Sequence, residues 1–363
     1  MKVAQIAPLM ESVPPRLYGG TERIVSYLTD ELVRQGHDVT LFASGDSKTT
    51  ARLISCCAEA LRLNPRVKDV IPYHMGMMDA VRRMASQFDI LHFHIDQFHF
   101  PVFREMAGKT ITTLHGRQDL PDLRFLYAKF PEMPLVSISD AQRRPIPGAN
   151  FAATIYHGIP DGLLLPDKGP RAGYLAFLGR IAPEKRVDRA IALARAARLP
   201  LKIAAKVDKV DQAYFDAEIR HLLDQPGVTY VGEINEGAKA AFLSNARALL
   251  FPIDWPEPFG LVMIEAMACA TPVLAFRGGS VAEVVEDGVS GIIVDTMEEA
   301  HNRLGDVLAL RRERVRQRFE ERFTAARMAQ DYVRIYQRLL DKGTIVCRAR
   351  AISVASASID ALH

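Results

Sequence analysis

Short apolar runs alternate with amphipathic stretches through the first half of the chain. The run "KVAQIAP" reads as a buried strand. "TERIVSYLTDELVRQGH" follows, with Ile24, Val25, Leu28, Leu32 and Val33 on one helical face. Thr21 is the expected N-cap of that helix and Gly36 its stop. "DVTLFAS", "FDILHFHI", "KTITTLHG" and "PLVSISD" read as further strands, and "ATIYHGIP" as a late one. Strand, helix, strand order of this kind predicts a parallel sheet covered on both faces.

The pattern breaks at "DGLLLPDKGPRAG", residues 161–173, whose two prolines and three glycines predict a linker. It then restarts. "YLAFLGR", "PLKIAAK", "GVTYVGE", "ARALLFPI" and "TPVLAF" are expected strands, and "RVDRAIALARAARL" is an expected amphipathic helix. The expectation is therefore an α/β chain of two doubly wound halves facing across a cleft, residues 1–165 and 166–328. The helical stretch that begins at Arg311 closes the chain, with residues 329–343 crossing back to the first half and 344–363 poorly ordered.

Composition changes this picture little. The 363 residues are 48% hydrophobic and 25% charged, as in a soluble globular protein. A net charge of +3 gives no reason to propose nucleic acid as a partner. Cys56, Cys57, Cys269 and Cys347 have no metal-ligand spacing and read as reduced thiols. No apolar run approaches the roughly 18 residues of a membrane helix, and the apolar start is too short for a signal peptide. The expected setting is therefore cytoplasmic, on soluble or membrane-surface substrates. Arg311, Arg312, Arg314, Arg316 and Arg318 read as a solvated helix surface, with peripheral contact at an inner membrane surface as the alternative.

The chemistry concentrates in "WPEPFGLVMIEAMA", residues 255–268. Pro256 and Pro258 stiffen a loop before a helix, so Phe259, Gly260 and Leu261 offer free N–H groups at an electropositive helix start. Gly260 lets a ligand approach the backbone. Glu265 lies in an apolar helix, where a carboxylate needs donors. A ribose diol would supply two, and Glu257 could receive hydroxyls from a sugar. The alternative is that Glu265 satisfies its own helix start and Glu257 is merely exposed. Arg180 and Lys185, in "LGRIAPEKRVDRAI", follow a strand and suit a diphosphate. A ligand with phosphates in the middle and hydroxyls at both ends would use all of these groups.

Arg180, Lys185 and the eight-position spacing of Glu257 and Glu265 resemble the donor site of the retaining family-4 glycosyltransferases of the GT-B fold. "YGGTER", "TLHG" and "GSVAEVVEDGVSGIIV" are similar to other motifs of that family, so the resemblance spans nearly the whole chain. Two departures are Ala270, where the family often has glycine, and His157, where asparagine is commoner.

The resemblance implies a retaining transfer of a hexose from a UDP-, GDP- or ADP-linked sugar to a saccharide or lipid-linked acceptor. It implies no cofactor and no obligatory metal, and no D-x-D triplet occurs in the sequence. Arg180 and Lys185 would stabilise the leaving diphosphate, with the amides of Phe259, Gly260 and Leu261. Glu257 would hold the donor sugar and Glu265 the ribose. Gly19 and Gly20 would let the first loop approach the donor phosphates or the acceptor. His115 would lie against the reacting sugar, or else merely close off a strand end. His92, His94 and His99 read as structural or acceptor-side residues rather than metal ligands, and Asp96, Arg143 and Arg144 as acceptor-side candidates. A sugar-nucleotide epimerase of the same fold and a non-catalytic nucleotide-sugar binding protein are the rival readings. A dinucleotide dehydrogenase is disfavoured by the absence of G-x-G-x-x-G.

Overall fold

The first sheet comprises β1 (Lys2–Ile6), β2 (Asp38–Ser44), β3 (Arg52–Cys57), β4 (Ile90–Phe93), β5 (Thr110–Thr113), β6 (Leu135–Ser137) and β7 (Phe151–Thr154). The second comprises β8 (Tyr174–Arg180), β9 (Leu201–Lys206), β10 (Val228–Gly232), β11 (Ala246–Phe251), β12 (Val273–Phe276) and β13 (Gly291–Val294). Their orders are β3-β2-β1-β4-β5-β6-β7 and β10-β9-β8-β11-β12-β13, with parallel pairing throughout. The structure is a computed structural model, and it describes residues 1–16, 19–62, 64–167 and 173–341. The expectations for Tyr18, Cys347 and the tail 344–363 fall outside the described residues. Cys56, Cys57 and Cys269 are free thiols.

The central strands are buried on both faces because helices cover both. Val3, Ala4, Ile6, Leu249 and Val273 are fully buried. Strand order reverses between β1 and β4, and again between β8 and β11. Connections leave in opposite directions at such a point, so a crevice opens at the carboxyl ends of those strands. The crevices of the two sheets face each other.

Several local expectations are corrected. The first helix runs Gly20–Arg34 with Gly19 at its N-cap, so Thr21 lies inside it and caps nothing. The late strand is Phe151–Thr154, and residues 155–158 are a loop. The linker stretch is partly core: Leu164 is fully buried against the second half. Strands β3 and β13 and the helix Ile71–Met84 had no clear pattern to read. The helix buries only Met77 and Val81, too narrow a stripe for a helical period, and β3 is a half-buried edge.

The arginine cluster is not simply solvated. It lies at and within the helix Arg312–Arg322, and three of its guanidiniums turn inward or pair. Arg312 donates to Ser244 O and Ala246 O, and Arg316 to Ala268 O, Leu164 O and Asp161 O. Ser244 and Ala268 end helices, so these cations meet carbonyls with no intrahelical partner. Arg318 pairs with Glu286 and Glu321, which leaves little of the cluster for a membrane surface.

The last helix spans residues 325–341 of the described chain. Met328, Tyr332, Ile335 and Tyr336 on it join a core cluster with Val3, Ile24 and Leu28 of the first half. Tyr332 and Tyr336 are fully buried there, beneath the first sheet. Among the described residues no helix is long and apolar enough to cross a membrane.

Candidate active site

A cleft of about 590 Å³ lies where the two crevices meet. Gly19, Gly20, His115, Arg180, Lys185, Glu257, Phe259, Gly260, Leu261 and Glu265 all line it. Sequence spacing could not show that convergence, because these residues come from both halves of the chain. Asp96, Arg143 and Arg144 do not line the cleft. Arg143 stacks over Phe151 and reaches Thr154 Oγ1, and Asp96 sits in a left-handed turn after β4. His92, His94 and His99 lie behind the cleft wall and are buried.

Two loops carry the cationic face. β8 ends at Arg180, and a 3₁₀ turn over Pro183–Lys185 follows. Arg180 pairs with Glu184 and lies 3.4 Å from Asp208 and 3.5 Å from Asp211. Lys185 pairs with Glu257 and sits over the Trp255 ring at 4.6 Å. Trp255 Nε1–H donates to the same Glu257 oxygen at 2.9 Å. The loops are tied together by Asp254 N donating to Glu184 O and by Arg186 and Arg189 reaching Asp254. Lys185 and Glu257, 72 positions apart, thus meet in a near-buried pair.

The loop before the helix Leu261–Ala268 is braced from three sides. Ser139 of the first half donates to Pro258 O at 2.6 Å. Ser280 N donates to Glu257 O, and Ser280 Oγ to Phe259 O. Gly279 has φ +52°, and a Cβ there would lie 2.2 Å from Glu257 O, so only glycine fits beside that backbone. Gly260 takes a left-handed conformation at the N-cap (φ 80°) with no side-chain cap. The amides of Phe259, Gly260 and Leu261 donate to no described residue, which leaves the helix start open to an anion. Ala270 is also left-handed (φ 56°), just past the end of this helix, a position glycine takes without strain.

Glu265 is 3% exposed and has a partner that the sequence did not suggest: Lys239 Nζ lies 2.6 Å from it. Lys239 belongs to the helix Glu236–Ser244, and only tertiary distance reveals it. Arg23, from the start of the first helix, pairs with Glu236 across the cleft. A Cβ on Gly20 would lie 3.5 Å from Leu261 Cδ1, so the starts of the two helices face each other closely.

His115 follows β5, and its ring stacks on His157 at 5.3 Å. His157 is 3% exposed, packs on Phe259 at 5.0 Å, and its backbone is held by Arg327, which donates to Tyr156 O and His157 O. Burial lowers the His115 pKa to about 3 and that of His157 well below its usual value. Both rings are therefore neutral at physiological pH.

The sequence profile of Glycosyltransferase Family 4 matches residues 18–199, half of the chain, and that of glycosyl transferases group 1 matches residues 167–323. The chain belongs to Glycosyltransferase Family 4. It is 25% identical over 380 aligned positions to the O-antigen chain mannosyltransferase C of Escherichia coli, covering 90% of this chain and 96% of that one. Sucrose-phosphate synthase from Thermosynechococcus elongatus superposes with a TM-score of 0.77 at 19% identity, covering 94% and 99% of the two chains. Anabaena HepE, solved with UDP and glucose, superposes with a TM-score of 0.69 at 17% identity, covering 92% and 98%. The two parallel-sheet halves are those of a GT-B glycosyltransferase. The enzyme's two sheets and cleft follow the architecture that the sequence motifs imply.

Proposed function

We propose that this glycosyltransferase moves a hexose, with retention, from a nucleoside diphosphate sugar (UDP-, GDP- or ADP-linked) to a hydroxyl of a saccharide or lipid-linked acceptor, in glycoconjugate synthesis. The observation that carries the reading is one cleft that collects two cations, an open helix N-terminus and two carboxylates from distant parts of the chain. The relatives bound to UDP and glucose or named for mannosyl transfer support the same donor class.

Residues 166–328 bind the donor and residues 1–165 shape the acceptor side. Arg180, Lys185 and the amides at Phe259, Gly260 and Leu261 hold the diphosphate and take up its charge as it leaves. The bond from the anomeric carbon to the diphosphate oxygen breaks, and its electron pair goes to the diphosphate. The acceptor oxygen bonds to that carbon on the same face, and its proton passes to the departing phosphate oxygen. His115 lies against the reacting sugar, and Gly19 and Gly20 let the first helix start approach it. Protein cations do the work of a divalent metal in this scheme, so activity survives excess EDTA. Loss with chelator and recovery with magnesium or manganese would overturn that arrangement.

Glu265 takes the ribose hydroxyls and Glu257 the sugar. Glu265→Gln removes the charge that faces both Lys239 and the ribose. It weakens binding of the bare nucleoside diphosphate by about 1.5–3 kcal/mol, the usual range for a hydrogen bond to a charged group. Glu257→Gln frees Lys185 for the diphosphate, so that binding holds or tightens while turnover of the full donor falls. Calorimetric titration beside turnover assays checks both, and the reverse pattern would exchange the two roles.

The reading as a whole is tested by incubating the enzyme with a panel of nucleotide-sugars and following nucleoside diphosphate release. Release stimulated by a saccharide or lipid-linked acceptor is expected. Binding without release points to a sensor, and release without any acceptor dependence points to an epimerase-like enzyme.

A further inference from the structure

Four alternating charges run from the first half of the chain to Glu265. Arg23, near the start of the helix Gly20–Arg34, pairs with Glu236 of the second half. Glu236 lies 3.5 Å from Lys239 Nζ, and Lys239 Nζ lies 2.6 Å from Glu265 Oε1. The Lys239 side chain is 12% exposed and that of Glu265 4%. Asn235 caps the helix Glu236–Ser244 by accepting from Ala238 N, which fixes the first turn of that helix. Glu236 and Lys239 then stand three positions apart on one face of it.

An ammonium has three hydrogens to place. Two of those on Lys239 meet Glu265 and Glu236, and the third has no acceptor among the described residues. Lys239 and Glu265 both line the cleft, whereas Glu236 does not. The third hydrogen therefore takes its acceptor from whatever fills the cleft. A phosphate placed there would stand against the carboxylates of Glu265 and Glu236. A hydroxyl is neutral, and it both donates and accepts. It carries one hydrogen and two acceptor lone pairs, and a carboxylate satisfies only the hydrogen.

We propose that Lys239 is a donor-specificity residue, which gives a hydrogen bond to a ribose hydroxyl of the nucleoside diphosphate while Glu265 accepts from the same diol. The cleft thereby takes ribonucleotides and rejects their deoxy counterparts. This role rests on the nucleotide-sugar reading of the cleft. Adjacent diol oxygens face an adjacent cation and carboxylate, so the two hydrogen bonds run side by side. A ribose without the hydroxyl leaves a near-buried ammonium hydrogen unmatched, which costs more than the lost contact alone. Arg23 meets the charge of Glu236 and so leaves Lys239 to Glu265 and its ligand.

Calorimetric titration of the full chain with UDP, GDP and ADP finds the diphosphate that binds. Its 2′-deoxy, 3′-deoxy and 2′,3′-dideoxy forms follow by displacement titration. At least one single deoxy form binds the parent about tenfold more weakly or worse, as expected for a lost hydrogen bond to a charged group. Lys239→Met keeps the length of the side chain and removes the ammonium. It weakens binding of the ribonucleotide about tenfold or more, and leaves that of the dideoxy form within about threefold of the parent. The unchanged dideoxy affinity also shows that the variant is folded. Equal losses for both ligands would put Lys239 on the phosphates, and no loss for either would make it only a counter-ion of Glu265. Both results overturn the proposal. A crystal structure of the parent with the bound diphosphate decides the matter without any variant. Lys239 Nζ within about 3.2 Å of a ribose hydroxyl oxygen is expected, and Nζ on carboxylates alone overturns the assignment. A parent that binds none of the three diphosphates removes the nucleotide-sugar reading and this role with it. A parent that binds one of them without regard to its ribose hydroxyls removes this role alone.

Discussion

Lys185→Ala and Arg180→Ala each lower transfer by about a hundredfold or more, because one good contact to a leaving diphosphate contributes about 3 kcal/mol. The structure shows why neither loss is easily compensated. Lys185 is held between the Trp255 face and the Glu257 carboxylate. Without it, Glu257 keeps only the Trp255 N–H on the oxygen that Lys185 shared, and its charge stands in the cleft proposed to take the diphosphate. Arg180 is surrounded by Glu184, Asp208 and Asp211, so its removal leaves acidic neighbours at the end of β8. Both variants should show the loss in kcat/KM with an unaltered near-UV circular dichroism spectrum. Rates within threefold of the parent would remove these residues from the diphosphate site.

The enzyme loses stability steeply below about pH 6.5, which is the second large effect. His92, His94, His99 and His157 are at most 3% exposed, and burial holds the pKa of each well below the ordinary imidazole value of about 6.5. In the unfolded chain they titrate near that ordinary value. The unfolded state therefore binds protons that the native state refuses, and stability present above pH 6.5 drains away as pH falls. Each such histidine costs up to about 1.4 kcal/mol per pH unit below its unfolded value. Four together reach several kcal/mol by about pH 5.5, a large part of the roughly 5–15 kcal/mol a domain has. Burial raises the pKa of Glu22, Glu11 and Asp96, which take up protons first in the native state and offset part of the loss. Urea midpoints at about pH 7 and pH 5.5 check the prediction. Equal midpoints would mean that the histidine cluster admits protons without unfolding.

The chain pattern was strong wherever burial was complete. β1, β8, β11 and β12 are covered on both faces, so apolar runs marked them. The edge strand β3 and the helix Ile71–Met84 bury too little to impose a period. The loop at Pro256 to Gly260 was legible because stiff prolines and a left-handed glycine are local requirements. Lys239, Arg23 and the Glu257 to Lys185 pair were not, since a lone charge on a helix has many surface explanations. The inward turn of Arg312 and Arg316 escaped notice for the same reason.

By itself, then, the sequence determined the two parallel α/β halves, the anion-receptive helix start and the residue types offered to a nucleotide-sugar. Those features depend on neighbours within a few positions, through periodicity, capping and backbone stiffness. Only the tertiary structure decided which charges pair, that His94 and Gln5 stand behind His115, and that Tyr336 reaches them from 331 positions beyond Gln5. Hydrogen bonds and ion pairs act over about 3–4 Å in space whatever the separation along the chain. The two sheets had to bring their strand ends together, and the last helix had to fold back, before those distances existed.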